Sequence, residues 1–370
     1  MRVLVAFDKF KDALSATQAC EAAAAALHAK HPDWTLDLCP LTDGGEGFAE
    51  NLTAAANGRL ERREVSGPRG DRLRAPIGYV RAESLPAGIR VRLALKSDTV
   101  LAIIGLASAS GLELLPQDQR DPWQTTTYGT GELIQAAARA GAGAILLGVG
   151  GSATNDLGLG ALAALGFKFS VVPVPSAWPQ FVQIEGRVQL PPVFIACDVT
   201  NPLLGPWGAT TTFGPQKGLK PADLPRLEAE MARMAAALCE ACAQPFALAD
   251  APGAGAAGGI AFGLMVAANA RLMSGFDLVT EWLDLPARLA AADLVLTGEG
   301  RFDATSLGGK GPGALIAEAR RIGKPAHVFA GSLGVAADPT HHAVTPPGLS
   351  LAEALPRTAE LLAAAVSRTL

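Results

Sequence analysis

The chain has 370 residues, which is more than one domain of ordinary size needs and suits two domains. Hydrophobic residues make up 49% and charged residues 18%, a composition that supplies a packed core and argues against a disordered chain. The formal net charge is only -4, and the sequence has no cluster of lysines and arginines, which argues against nucleic-acid binding as the main role.

The N-terminus and the cysteines predict a soluble, cytoplasmic protein. The first apolar run, residues 1–8, is too short for a signal peptide, and no apolar stretch has the length of a membrane span. The five cysteines are scattered. Cys239 and Cys242 lie in a run with helical spacing and no second pair follows, so we interpret them as helix residues in preference to a zinc or redox site.

The first predicted elements are a strand, a polar loop and a helix. Residues 3–7 are an apolar β-branched run that ends at Asp8. Ser15 and Gln18 fit a capping box at the start of an alanine-rich helix that reaches about Lys30. A second strand is predicted over residues 36–41, directly before the segment Thr-Asp-Gly-Gly-Glu-Gly, and a helix follows from about residue 48 to 56.

The sequence pattern changes at Arg59 and changes back near residue 125. Between these points, strands without intervening helices are predicted over residues 61–66, 73–79, 89–95 and 100–104, which indicates a partly antiparallel subdomain. Alternating helices and strands then return, with a helix over 132–140 and buried strands over 144–149, 193–197, 294–297 and 326–329. The last predicted helix covers residues 350–370.

Five of the strand-end loops combine glycine with carboxylate or amide side chains. These side chains are Asp8, Asp43 with Glu46, Asn155 with Asp156, Asp198 with Asn201, and Glu299 with Asp303. The carboxyl ends of parallel strands meet at one edge of a sheet, so the pattern predicts that the five loops build one acidic, glycine-lined cleft.

Such a cleft suits phosphoryl transfer. Glycine lets the backbone approach a phosphate, and Mg²⁺ is held by one or two carboxylates together with phosphate and water. Positively charged side chains lie in or beside these loops, where they would stabilise the negative charge that develops on the transferred phosphoryl group. They are Lys11, Lys217, Arg301 and Lys310. The sequence contains neither the phosphate-binding GxxxxGK[ST] loop nor the protein-kinase motifs.

Structural alternatives remain open for several of these loops. A tight turn is the alternative for residues 150–152, close helix packing is the alternative for residues 252–259, and a helix N-cap is the alternative for Asp198. Two carboxylates and three glycines at residues 43–47 are unfavourable for stability, so we interpret that segment as functional.

Eight segments match, in the same order, the signature segments of a known family. They are residues 8–15 (Asp-Lys-Phe-Lys-Asp-Ala-Leu-Ser), 42–47, 125–134 (Thr-Thr-Thr-Tyr-Gly-Thr-Gly-Glu-Leu-Ile), 150–156 (Gly-Gly-Ser-Ala-Thr-Asn-Asp), 197–203, 213–218, 253–259 and 297–303. On these segments the sequence resembles the bacterial type I glycerate kinase family, nearly from end to end.

The resemblance implies a function and a fold. The function is ATP-dependent, Mg²⁺-assisted phosphorylation of D-glycerate, with 2-phosphoglycerate favoured as the product. The fold is α/β with two domains, a Rossmann-like parallel-sheet domain interrupted by a second mixed-sheet α/β domain, and the active site lies in the cleft between them. We assign residues 1–60, 125–166 and 285–370 to the first domain, and residues 61–124 and 167–284 to the second. The partners are D-glycerate and ATP, with no nucleic acid and no membrane, and the chain is a monomer or a homodimer.

The resemblance also suggests roles for individual residues. The predicted catalytic residues are Asp43, Asp198, Lys11 and Arg301, with Asp43 and Asp198 as alternative bases. The predicted substrate and phosphate contacts are Asp8, Gly44, Gly45, Glu46, Gly150, Gly151, Ser152, Asn155, Asn201, Lys217, Gly255 and Gly258. The predicted metal ligands are Asp43, Glu46, Asp198, Glu299 and Asp303.

The sequence departs from the family pattern at four positions. Gly105 stands where the family usually has glutamate, and Lys9, Leu157 and Leu204 replace a serine, a glycine and a cysteine. Gly105 keeps two alternatives in view. One is a kinase for another short hydroxy-acid, and the other is a non-catalytic sensor that binds an acid.

Overall fold

The computed structural model describes residues 1–308, 311–336 and 338–370. Lys310, one of the predicted loop cations, lies outside the described residues. The chain divides into two compact units, one formed by Met1–Asp43 with Val279–Leu370 and the other by Gly44–Leu278. We call them the terminal unit and the inserted unit.

The strands and helices of the described residues mostly alternate along the chain. The strands are Arg2–Phe7 (β1), Thr35–Leu38 (β2), Arg59–Ser66 (β3), Arg72–Arg81 (β4), Val100–Gly105 (β5), Ala144–Gly148 (β6), Lys168–Phe169 (β7), Ile184–Glu185 (β8), Val193–Ala196 (β9), Arg271–Met273 (β10), Leu294–Phe302 (β11), Ala326–Leu333 (β12) and His341–Ala343 (β13). The helices are Ala16–Lys30 (α1), Phe48–Ala55 (α2), Ala87–Arg92 (α3), Ala107–Ser110 (α4), Tyr128–Arg139 (α5), Leu159–Ala164 (α6), Ala209–Phe213 (α7), Leu224–Cys242 (α8), Ala256–Ala268 (α9), Gly275–Trp282 (α10), Leu285–Ala291 (α11), Gly311–Arg321 (α12), Leu351–Ala354 (α13) and Thr358–Thr369 (α14).

The terminal unit is built on a parallel sheet in the order β13-β12-β11-β1-β2. Residues 3–7 of β1 are completely buried, as expected for a parallel strand covered on both faces. Helices α1 and α14 pack on one face through a core that includes Phe7 and Phe329, and α12 packs on the other through Ile316. The predicted capping box at Ser15 and Gln18 is confirmed at the start of α1.

The inserted unit is built on a mixed sheet in the order β10-β9-β6-β5-β4-β3. Strands β10, β9, β6 and β5 are parallel, whereas β4 pairs antiparallel with both β5 and β3. The predicted fold class is therefore confirmed, because a parallel-sheet unit is interrupted by a mixed-sheet unit.

The division between the units differs from the predicted domain boundaries. Residues 125–166 lie in the inserted unit because β6 pairs with β5 and β9, the strands of that unit. Helix α2 packs on β4 and β5, so residues 44–60 lie there too. The local sequence pattern predicts whether a segment is a helix or a strand. Which sheet a strand joins depends on its pairing with strands that are distant in sequence.

Two local predictions have clear outcomes. The strand predicted over residues 89–95 is wrong, because residues 87–92 form α3. Ile89 and Leu93 are buried while Val91 between them is 81% exposed, so the buried positions are four residues apart as in a helix and do not alternate as in a strand. Cys239 and Cys242 are free thiols in α8, which confirms their interpretation as helix residues.

Among the helices of the described residues, none combines the length and the apolar character needed to cross a bilayer.

Candidate functional site

The carboxyl edge of the terminal-unit sheet gathers three carboxylates. Asp8 directly follows β1, and its backbone N–H donates to Gly298 O of the neighbouring β11 at 2.9 Å, one residue before Glu299. The segment after β2 continues beside β1, with Leu41 N donating to Phe7 O at 2.8 Å, and it ends at Asp43. The local pairing of parallel strands thus places Asp8, Asp43 and Glu299 at one edge.

Burial and, after it, the charges of neighbouring acids raise the proton affinity of Asp8 and Glu299. Burial, together with the charge of Asp43 and a smaller effect of Glu299, raises the pKa of Asp8 to about 7 against the lowering effect of Lys9. Burial also raises the pKa of Glu299, whose Oε1 is buried and has no hydrogen-bond partner among the described residues. This edge therefore carries an excess of negative charge that a cation would relieve.

Cations flank the same edge. Lys9 Nζ lies 3.4 Å from Asp43 Oδ1, and exposed Arg301 pairs with Asp303 through Nε and Oδ2 at 3.1 Å. The loop that carries Lys11 runs along β11, because Gly300 N donates to Lys9 O at 3.3 Å. Sequence reasoning missed Lys9, although its replacement of the family's serine was a usable signal.

Asp303 has a local structural partner as well. Thr305 donates to its Oδ1 from both the backbone N at 2.9 Å and Oγ1 at 2.6 Å. These hydrogen bonds lower the pKa of the Asp303 carboxyl and, with Arg301, hold it as an anion at this edge.

The carboxyl edge of the inserted-unit sheet is covered by the glycine loop of residues 44–47. Gly150 N donates to Gly44 O at 3.0 Å, and Gly44 has a φ of +88° that glycine adopts without strain. A Cβ on Gly150 would lie 2.7 Å from Gly45 N, and one on Gly151 would lie 2.3 Å from Glu46 Oε1. The two loops approach so closely that side chains are excluded from their contact.

A second layer of polar contacts lies behind the loop of residues 150–156. Lys217 is buried, and its Nζ donates to Ser152 Oγ at 2.8 Å and to Thr154 O at 2.6 Å. Asn155 is completely buried and donates from Nδ2 to Thr210 Oγ1 at 3.1 Å, while its Oδ1 has no partner in the described part of the chain.

Asp156 anchors the end of this loop. Its Oδ2 accepts hydrogen bonds from Thr127 N at 2.7 Å, Thr127 Oγ1 at 2.9 Å and Gly160 N at 3.3 Å, and its Oδ1 accepts one from Gly158 N. Burial raises the pKa of the Asp156 carboxyl against these bonds. Residues 125–134, which match the family without change, therefore form part of the support for the loop.

Asp198 and the glycines of residues 253–259 have structural roles in the inserted unit. Asp198 Oδ1 accepts from Phe276 N at 3.0 Å, so this carboxylate binds the first turn of α10, whereas the residue that directly precedes that helix and accepts from Asp277 N is Ser274. Asn201 donates from Nδ2 to Trp207 O at 2.7 Å. A Cβ on Gly255 would lie 2.2 Å from Pro202 O and one on Gly258 2.0 Å from Thr154 O, so close packing accounts for both glycines.

A cavity of about 220 Å³ opens beside the glycine loop in the inserted unit. Glu46, Gly105, Ser108 and Glu113 are among its lining residues. A Cβ on Gly105 would meet its neighbours at 3.6 Å or more, an ordinary contact distance, so the departure from the family's glutamate leaves space that a side chain would fill.

The predicted single edge is wrong, because the loops belong to two sheets. Asp8, Asp43, Glu299, Arg301 and Asp303 lie at the edge of the five-stranded sheet, whereas Glu46, Gly150, Ser152, Asn155 and Asp198 belong to the inserted unit. Within the described residues, no three His, Cys, Asp or Glu side chains form a group that could by itself hold a metal ion.

Parallel strands that end in carboxylates and glycine loops, with cations beside them, supply the groups that phosphoryl transfer needs, and they place the chain among α/β proteins that suit this chemistry. Similarity to proteins of known name identifies the family. A model of the glycerate kinase family matches residues 3–370, and the chain belongs to this family.

Relatives of known name cover most of the chain. It is 38% identical over 344 residues to a glycerate kinase from Bacillus subtilis, covering 90% of this chain and 85% of that one. It is 37% identical over 346 residues to a glycerate 2-kinase from Escherichia coli, covering 90% and 86%. It also resembles a crystal structure from Salmonella typhimurium LT2, itself assigned provisionally as glycerate kinase 2, with a TM-score of 0.73, 35% identity, and coverage of 100% and 96%.

Proposed function

We propose that this chain transfers the terminal phosphoryl group of ATP to a hydroxyl group of D-glycerate and forms 2-phosphoglycerate. The observation that carries the proposal is the match of the glycerate kinase family model to residues 3–370, a range that includes every glycine and carboxylate loop described above, together with the glycerate kinases that match 90% of the chain. The relative from Escherichia coli is named a glycerate 2-kinase, which favours the hydroxyl at C2.

The acidic edge of the terminal unit is the proposed place of Mg²⁺. The residues fit such an ion, since Glu299 Oε1 is a buried acceptor without a partner among the described residues and Asp43 and Asp8 add negative charge. Asp43 and Glu299 would hold it, with water and phosphate as the remaining ligands. Bound there, Mg²⁺ would supply positive charge against the phosphate oxygens.

We propose Asp43 as the group that orients the glycerate hydroxyl and accepts its proton. It is half exposed, and Lys9 holds it at 3.4 Å. Asp198 is the weaker candidate because its carboxylate accepts a backbone hydrogen bond at the start of α10. Lys11 and Arg301, both exposed at the same edge, are the proposed partners of the glycerate carboxylate.

The glycine loops of the inserted unit are the proposed contacts of the ATP phosphates. Gly44, Gly45, Gly150 and Gly151 present backbone without side chains, and Ser152 adds a hydroxyl. We also propose that the enzyme is cytoplasmic. Its five cysteines are free thiols, which suits a reducing compartment, and the proposed reaction consumes ATP.

The test is ADP release with Mg-ATP and a panel of short hydroxy-acids. We expect D-glycerate to give a kcat/KM about tenfold or more above L-glycerate, glycolate and D-lactate, because each missing or misplaced polar group leaves a buried partner unpaired. A higher kcat/KM with another acid would overturn the assignment of the acceptor, and no acid-dependent ADP release would overturn the kinase proposal.

A further inference from the structure

Lys217 places an ionisable amine in the interior of the inserted unit. It ends the turn Pro215–Lys217, and its side chain is 2% exposed. Two of its three N–H groups are used within the protein, one on Ser152 Oγ and one on Thr154 O. In this position the amine cannot reach a ligand, so any effect on the reaction passes through the loop that it holds.

The environment of Lys217 is costly for stability. Burial lowers the pKa of its amine to about 7, and Asp156 is the charged group that opposes this effect. Well-packed apolar side chains often serve a core as well as a buried charge pair or better. Stability alone therefore does not account for a lysine at this place.

Lys217 and Asp156 hold different parts of residues 150–156 through their hydrogen bonds. Lys217 fixes the middle of the loop at Ser152 and Thr154, and Asp156 fixes its end against the start of α5 through Thr127. The front of the same loop meets the glycine segment at Gly44 and Gly45. The loop is thus held from both sides.

We propose that Lys217 is a positioning residue, whose side-chain amine fixes Ser152 and the Thr154 carbonyl so that the loop of residues 150–155 has the shape that binds the phosphates of ATP. The inference rests on the proposed phosphate-binding function of this loop. It replaces the predicted direct contact of Lys217 with substrate.

The direct test compares Lys217→Met with Lys220→Met, an exposed lysine three positions further on. Methionine keeps the length of the side chain but has no donor. We expect Lys217→Met to raise the KM for ATP and the Kd for ADP by about tenfold or more, and to change the KM for D-glycerate less than about twofold. Lys220→Met keeps the wild-type values. Unchanged nucleotide constants in Lys217→Met would overturn the proposal.

A second variant separates positioning from loss of the fold. Lys217→Ala leaves a space shaped for an alkylammonium ion, so added n-propylammonium should restore nucleotide affinity and n-propanol should not. Restoration by neither compound, with the circular dichroism of the wild type retained, would also contradict the proposal. Isothermal titration with ADP needs no turnover. If the wild type binds nucleotide but does not phosphorylate D-glycerate, the proposed acceptor is wrong. The role of Lys217 is still tested in that case, by the Kd for ADP of the wild type and of Lys217→Met.

Discussion

At the scale of single residues, burial and then repulsion between acids determine the proton affinity of Asp8 at the terminal-unit edge. Asp8 has a pKa raised to about 7 first by burial and next by the charge of Asp43. Lys9 offsets only part of this charge, since it lowers the pKa of Asp8 less than burial and Asp43 raise it. The excess of negative charge at this edge favours the binding of a cation, and a carboxylate there can accept the proton of a substrate hydroxyl.

Replacement of Asp43 by asparagine tests the proposed base. The amide keeps the shape of the side chain but cannot accept a proton, so we expect kcat to fall by about 10²- to 10⁴-fold. The fold should persist because Asp43 is half exposed. The measurement is steady-state ADP release, with Asp118→Asn, an exposed aspartate outside the site, as the matched control. Wild-type turnover in Asp43→Asn would remove Asp43 from the mechanism.

Lys217 gives a prediction for the pH dependence of stability. Its pKa in the folded chain is about 7, below the ordinary value of 10.5, so between these values the unfolded chain holds a proton that the native chain lacks. Stability from this group therefore rises with pH, by at most about 1.4 kcal/mol per pH unit.

Urea unfolding of the wild type and Lys217→Met measures this contribution. We expect the difference in the free energy of unfolding, wild type minus variant, to increase from about pH 7 to about pH 9, because methionine does not titrate. A difference that stays constant over this range would show that the native amine holds its proton.

At the scale of elements, two glycines that face each other across neighbouring strands have different surroundings. Gly105 of β5 is the register partner of Gly148 of β6. A Cβ on Gly148 would lie 2.6 Å from both Gly44 O and the Phe48 ring, whereas one on Gly105 would meet only ordinary contacts. The end of β6 is therefore the seat of the glycine loop.

The pair Gly148→Ala and Gly105→Ala tests this seat. We expect Gly148→Ala to lower the free energy of unfolding by about 1–3 kcal/mol, because the loop of residues 44–48 has to move, and to raise the KM for ATP. Gly105→Ala should keep the wild-type stability. Thermal unfolding of both variants decides the matter, and equal stability of the two alanine variants would refute the described contact.

Local signals predicted the elements well. The capping box at Ser15, the helical spacing around Cys239 and the strand before Asp8 each depend on neighbours in sequence, and each is confirmed. The support of the loop by Lys217 was not predictable in this way. Its acceptor Ser152 is 65 residues away, and burial is what converts a predicted ligand contact into an internal one.

At the scale of the whole molecule, the order of strands along the chain does not reveal which sheet each one joins. The pattern of loops predicted one shared edge, but β1 and β11 pair in one sheet while β6 and β9 pair in the other. The segment of residues 42–47 joins the units, since Asp43 ends the first part of the terminal unit and Gly44 begins the inserted one. Its two carboxylates were predicted as one motif and belong to different units.

The central claim is that this chain moves a phosphoryl group from ATP to the C2 hydroxyl of D-glycerate. Phosphorus NMR of a completed reaction with Mg-ATP and D-glycerate measures this directly. The account predicts one phosphate-ester resonance, split into a doublet by the single hydrogen at C2, in an amount equal to the ADP formed. A triplet, which the two hydrogens at C3 would give, or inorganic phosphate without an ester, would contradict it.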